Sequence, residues 1–422
     1  MNRPSSSPHS FASPATDRSV PRARRKAGDT GIDGRGRVLG GPAILSYGFR
    51  PFFLLGGLYA AVAVPFWIWA HASGYPLHGP FPGTLWHAHE MLFGFLSAVI
   101  AGFVLTAVPN WTGRLPLSGT RLAVLVLLWL VGRIACATVA APWAALALDM
   151  LFPVTLALAI WREVLVGRNR RNIPVAALLT LLAVAGGLHH MEAGGLIEPG
   201  LAVRLAIGVT TILMTLIGGR IIPSFTRNGL VKKGSNALPA AFGLPDKLAL
   251  FTTVLGLLAW IIVPEAAWAA ALLVAAGILL IARLLRWKGW LARREPILAV
   301  LHVGYLWLSV GVAMLGLAIL LPSAVPADAA IHTLTAGAVG TMTLSVMSRA
   351  SLGHTGRLIA SDRITTAIYA AVSLGALLRI LAPIIPEAYQ ALIIAGGSLW
   401  ALAFLLFVMR YARILWRPRQ GP

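Results

Sequence analysis

Twelve stretches of about 20 mostly apolar residues recur along the chain, and that is the length a helix needs to cross the hydrocarbon core of a bilayer. They lie at about Phe52 to Ala70, Leu85 to Trp111, Leu117 to Ala137, Ala141 to Trp161, Ile173 to Met191 and Val203 to Pro223. Six more follow, at about Lys247 to Val263, Ala266 to Leu285, Ile297 to Leu321, Ala329 to Ser348, Ile364 to Ile385 and Ala388 to Tyr411. In lipid each backbone N–H and C=O must find its partner inside the segment, so runs of this kind form helices. Composition agrees, since 58% of residues are hydrophobic and only 12% charged, against about 25% charged in soluble domains. The expected fold is all-α: a single polytopic membrane domain over residues 43–422, its short loops packing neighbouring helices antiparallel. A soluble multidomain enzyme is excluded.

Charge tests the count of spans. Lys and Arg number 35 against 14 Asp and Glu, a net +21, which in a soluble protein points to nucleic acid. Here the cations fall in alternate loops: Arg22 to Lys26, Arg114 and Arg121, Arg168 to Arg171, Arg227 to Lys233, Arg283 to Arg294, Arg357 and Arg363, and Arg413 to Arg419. The opposite loops hold Glu192, Glu198, Glu265, Asp328 and Glu387. This is the positive-inside pattern, which puts both termini in the cytoplasm and makes the lipid bilayer, not a nucleic acid, the partner of the charge. Residues 1–42, rich in Ser, Pro, Arg and Gly, read as a disordered basic cytoplasmic tail. Arg24-Arg25-Lys26 lack the apolar stretch that a twin-arginine signal needs directly behind them.

A repeat is visible within the spans. His89, Gly94 and Thr112-Gly113-Arg114 in span two recur at the same spacing in span ten as His332, Gly337 and Thr355-Gly356-Arg357. Span six ends in Pro223-Ser224-Phe225-Thr226, which echoes Pro109-Asn110-Trp111-Thr112 without a histidine at its outer end; three four-helix units would account for this period, and chance similarity among apolar helices ending in cationic loops is the alternative.

Topology brings five histidines to one depth near the outer face: His87 and His89 opening span two, His189 and His190 closing span five, and His332 opening span ten. Ionisable groups inside spans are costly and usually face the bundle interior, so a shared metal or haem centre is one expectation; interfacial histidines bonded to loops beside Trp86 are the other. Imidazole suits iron and copper, and Met91 or Met191 adds a thioether for cuprous ion. His87 and His89 point about 200° apart on a helix, so they serve two centres unless the helix start is irregular. His87 shares a face with Glu90 and Met91, making Glu90 a candidate acceptor or proton carrier. The one cysteine, Cys136, sits in an apolar run and excludes a disulfide framework, a thiolate zinc site and a CxxCH haem attachment, so any haem is non-covalent.

Toward the cytoplasm, His302 in span nine and His354 beyond span ten form a second group, with Arg220 and Arg349 as candidate partners of haem propionates or as ordinary positive-inside residues. Arg133, Asp149 and Arg379 are further charges inside spans, and an Asp149–Arg pair would lower their burial cost.

Four strings carry a resemblance: Gly48-Phe49-Arg50-Pro51-Phe52-Phe53, Trp86-His87-Ala88-His89-Glu90-Met91, Gly219-Arg220-Ile221-Ile222-Pro223-Ser224-Phe225-Thr226-Arg227 and Met347-Ser348-Arg349-Ala350-Ser351-Leu352-Gly353-His354-Thr355-Gly356-Arg357. With His189-His190-Met191 and Leu301-His302-Val303-Gly304-Tyr305, they resemble the NnrS family from about Ser46 to the end. The resemblance implies a bacterial inner-membrane protein of about twelve helices that contains haem, here non-covalent and b-type, and copper. It also implies a role in the response to nitric oxide and nitrosative stress, often beside denitrification genes.

Haem would take His89 or His87 with His332, and copper would take His189 and His190 with Met91 or Met191 nearby. Helix number and histidine placement are similar to haem-copper oxidases and nitric oxide reductases, but span six lacks the histidine those enzymes use for their second metal. Whether the chain turns over nitric oxide with an unnamed electron donor or only binds it stays open. The alternative is a transporter for a metal, a nitrosyl complex or a small solute, whose polar residues would line a path to both faces.

Overall fold

The computed structural model describes residues 41–420 and, as backbone, two short antiparallel strands, Gly31–Ile32 and Val38–Leu39. The expected basic tail otherwise lies outside the described residues. Twelve helices among them are long and apolar enough to span a membrane. They are α1 (Phe49–Ser73), α2 (Gly83–Thr112), α3 (Thr120–Thr138), α4 (Pro142–Val166), α5 (Arg170–Ala193) and α6 (Leu201–Lys232). The second half comprises α7 (Leu244–Ile262), α8 (Ala267–Arg286), α9 (Pro296–Leu320), α10 (Ala327–His354), α11 (Arg363–Leu381) and α12 (Pro386–Trp416). One boundary differs plainly from expectation. Span six runs on to Lys232 with Pro223 inside it, because a membrane helix can satisfy the carbonyl freed by proline from its neighbours.

Sequential helices pack as antiparallel neighbours, and α1 also packs along α12, bringing first and last spans together. Burial sorts the twelve into two classes. The apolar windows of α2, α10 and α6 are 83%, 72% and 61% buried, more than any other helix, so the second helix of each proposed four-helix unit forms the centre of the bundle. The remaining helices turn large apolar side chains such as Ile134, Leu158, Phe251 and Met409 outward, where a bilayer would cover them.

The repeat seen in the sequence is a repeat of backbone geometry. In α2 a π-helical stretch, Glu90–Phe95, starts immediately after His89; in α10 one starts immediately after His332, over Thr333–Val339. Both helices then end at a glycine in the left-handed region, Gly113 at φ 72° and Gly356 at φ 74°, which lets the Thr-Gly-Arg strings leave the helix without a Cβ clash. Single π-helical turns interrupt helices mostly at functional sites, because the wider turn re-aims the side chains around it.

Candidate metal and ligand site

The two histidines of α2 enter different places. His89 is fully buried in a polar nest built by four consecutive helices, with Glu90 from α2, Arg133 and Cys136 from α3, Asp149 from α4 and His190 from α5. Its Nδ1 faces Glu90 Oε1 at 3.0 Å and its Nε2 faces Asp149 Oδ2 at 3.1 Å. His190 Nε2 faces the same Asp149 oxygen, also at 3.1 Å. The Arg133 guanidinium donates to Glu90 and to the other Asp149 oxygen, and the Tyr59 hydroxyl donates to Glu90. With no ion bound, a ring with both nitrogens against carboxylate oxygens carries both protons, and a metal at this ring would take the place of one of them. Arg133 and His89 are thus two cations against the anions Glu90 and Asp149, a balance that a buried cluster needs.

Glycines make room for this cluster. A Cβ on Gly94 would lie 2.7 Å from Glu90 Oε2 and 2.8 Å from Arg133 Nη1, and one on Gly132 would lie 2.7 Å from Asp149 Oδ1. At this end of the bundle the loop between α1 and α2 folds back as a cover. Gly79 comes so close to the Cys136 carbonyl that a Cβ would sit 2.5 Å from it, and the fully buried Phe81 ring packs against His89, His190 and His189 at centroid distances of 4.2, 4.6 and 5.2 Å. Within the nest, one donor atom each from His89, Cys136, Asp149 and His190 lies within 4.8 Å of the others, a set competent to hold a metal ion. Two imidazoles, a thiol and a carboxylate suit copper or zinc.

His87 points the other way, into a cavity of about 730 Å³ between α1, α2, α6, α10, α11 and α12. Across it stands His332, its ring centroid 6.5 Å from that of His87 and the two planes within 13° of parallel. His332 Nδ1 is engaged by the Asp328 carbonyl and carboxylate at 2.9 Å each, and Arg379 holds that carboxylate with Nη2 at 3.0 and 2.8 Å. Two polar atoms are left buried without a partner, His87 Nδ1 and Arg379 Nη1. Trp67 stacks on His87 at 5.2 Å, and Met91, His71, Trp400 and aliphatic side chains complete an apolar wall.

Placement of the other expected residues follows. His189 lies beside the nest but turns Nε2 to the Leu85 carbonyl at 3.1 Å, and Met91 lines the cavity rather than the nest. His302 accepts or donates at Thr226 Oγ1, 2.9 Å away, and His354 packs beside Phe49 and Tyr47. Arg349 lies 3.9 Å over the Phe225 ring and Arg220 is exposed. None of these four lines the cavity. Cys136, set aside on its sequence neighbours, is a nest donor; its signal was Arg133 one helical turn earlier on the same face of α3. Asp328, four residues before His332 on α10, carried the same kind of signal.

The family model described as NnrS protein matches residues 43–419 of the chain. The chain belongs to the NnrS family. No curated protein matches the sequence. Membership in NnrS points to a role in the response to nitric oxide, and the buried nest gives this member a place able to bind metal.

Proposed function

We propose that this NnrS chain is a bacterial inner-membrane protein, both termini cytoplasmic, that holds haem and copper and binds or processes nitric oxide or a species derived from it. The observation that carries the reading is the pair His87 and His332, near-parallel across a cavity of about 730 Å³. His87 and His332 would hold haem iron, and the unpartnered Arg379 Nη1 would meet a propionate. His89, Cys136, Asp149 and His190 would hold copper, the thiol favouring the cuprous form. When bound, haem supplies one-electron chemistry.

The chain's own side chains supply the setting. Asp328 fixes the His332 ring by holding Nδ1, leaving Nε2 for the cavity. Phe81 keeps water from the nest, and Arg133 neutralises carboxylates that no solvent can reach. The apolar wall of the cavity suits a small uncharged molecule that partitions into lipid.

The test is the oxidised and reduced absorption spectrum of detergent-purified protein with iron and copper analysis, repeated on His87→Ala, His332→Ala and His89→Ala. Haem bands lost in the first two, and copper but not haem lost in the third, support the assignment. A colourless, metal-free protein from haem-replete cells overturns it and leaves the transporter reading in its place.

A further inference from the structure

At the arginine-rich end of the bundle, opposite His87, His89 and His332, the ends of α10, α11 and α12 enclose an open groove of about 790 Å³. Four guanidinium groups line it, those of Arg357, Arg410, Arg413 and Arg417, and among the described residues Asp362 is the single carboxylate in its wall. That carboxylate is already committed, to Arg410 Nε at 2.6 Å and to the Thr365 backbone N–H at 2.8 Å. The cations therefore crowd one another. Partial burial, and then the charges of Arg417 and Arg410, push the Arg357 guanidinium below its usual value. The floor is apolar, and Leu358 and Met409 stand 77% and 70% exposed at its edge.

We propose that this groove binds the headgroup of an anionic phospholipid, with its phosphate among Arg357, Arg413 and Arg417 and an acyl chain along Leu358 and Met409. Charge and position select this occupant. Surplus guanidinium groups in an interhelical pocket at the end of a membrane bundle pair with phosphate bidentately. The apolar half of the groove fits an acyl chain, which a free phosphate lacks. The chain's own N-terminal segment is the wrong sign, since Arg22, Arg24, Arg25 and Lys26 would add cations to cations. Because the alternation of charged loops makes this the cytoplasmic face, the ligand belongs to the inner leaflet.

The experiment uses full-length protein in an uncharged detergent, with thermal unfolding followed on addition of cardiolipin, phosphatidylglycerol, phosphatidylcholine or inorganic phosphate, and with native mass spectrometry counting retained lipid. The anionic lipids are expected to raise the melting temperature and to be retained, while phosphatidylcholine is not. The double variant Arg413→Gln/Arg417→Gln, altered at exposed positions, is expected to need roughly ten- to thirtyfold more anionic lipid for the same shift. Arg293→Gln/Arg294→Gln, which removes the same charge from another loop at the same face, should behave as wild type. An equal response to phosphatidylcholine, an equal loss in the control variant, or a full shift from inorganic phosphate alone would each overturn the proposal.

Discussion

Two residues apart on α2, His87 and His89 sit in opposite kinds of surroundings. The nest around His89 is closed, its charges paired inside the protein through both His89 ring nitrogens, the Asp149 and Glu90 carboxylates and two Arg133 nitrogens, although Arg133 Nε and His190 Nδ1 are left without partners. The cavity around His87 is wide and apolar and keeps two polar atoms without partners. A step of about 100° per residue sends alternate side chains to opposite faces, and the π-helical stretch after His89 lets the helix serve both. The contrast separates two tasks. A closed, charge-paired nest fixes position and has room for no more than a single ion, whereas the wide cavity has room for a larger group to enter.

If the nest is a balanced charge cluster, removing one cation should cost far more there than at the cavity. Arg133→Met leaves the buried Glu90 and Asp149 carboxylates with His89 as their one shared cation, and the loss expected is about 3–5 kcal/mol. Arg379→Met leaves only Asp328, which is 41% exposed and can be solvated, so the loss should stay near or below about 1 kcal/mol. Thermal unfolding of both in detergent decides it. Equal losses would mean that the nest is no more closed than the cavity.

Packing gives the next effect in size. Gly94→Ala places a methyl group 2.7 Å from Glu90 Oε2 and 2.8 Å from Arg133 Nη1, where both partners are locked by charge pairs and neither is free to swing away. A loss of about 1–3 kcal/mol is expected. Gly186→Ala, whose Cβ would meet Phe93 at an ordinary 3.5 Å, should be nearly neutral in the same assay.

The helices themselves were legible because twelve long apolar runs stand apart along the sequence, and the structure keeps that count among the described residues. That the five histidines come near one another was legible from the same order of spans. Their grouping was not. Helix phase separates His87 from His89, but it does not say which partner each meets, since that depends on how α2 and α10 sit at the centre of the bundle. The loop that carries Phe81 over the nest has no periodic pattern to read. Cys136 looked inert because its neighbours in sequence are apolar, while its neighbours in space, His89, Asp149 and His190, come from three other helices. The arginines expected beside haem propionates followed from charge alone, and Arg379, seen only as a buried charge, is the one that reaches the cavity.

Asp328 sharpens the comparison from the cavity side. Asp328→Asn keeps the shape but removes the charge that orients His332 and anchors Arg379. Folding should change little, while retention of a haem held by His332 should fall by roughly 10–100-fold, as for other carboxylates that orient metal-binding histidines. Titration of stripped protein with haem measures this. Retention equal to wild type would mean that the carboxylate does not act through His332.

The smallest effect lies outside both regions and calibrates them. Asp362 caps α11, accepting the Thr365 N–H at 2.8 Å and pairing with Arg410 at 2.6 Å. Burial opposes the charge, but the Thr365 hydrogen bonds and Arg410 outweigh it and draw the carboxyl down to about 2. A group held below its unfolded value contributes stability that is complete above the unfolded value and fades as pH falls through the folded one. Asp362→Ala should therefore cost about 1 kcal/mol at neutral pH, mostly the lost cap. The difference from wild type should shrink as the pH is lowered toward 2. Because this carboxylate is exposed and the nest carboxylates are not, a variant pair that loses as much at Asp362 as at Arg133 would show that burial is not what makes the nest costly to break.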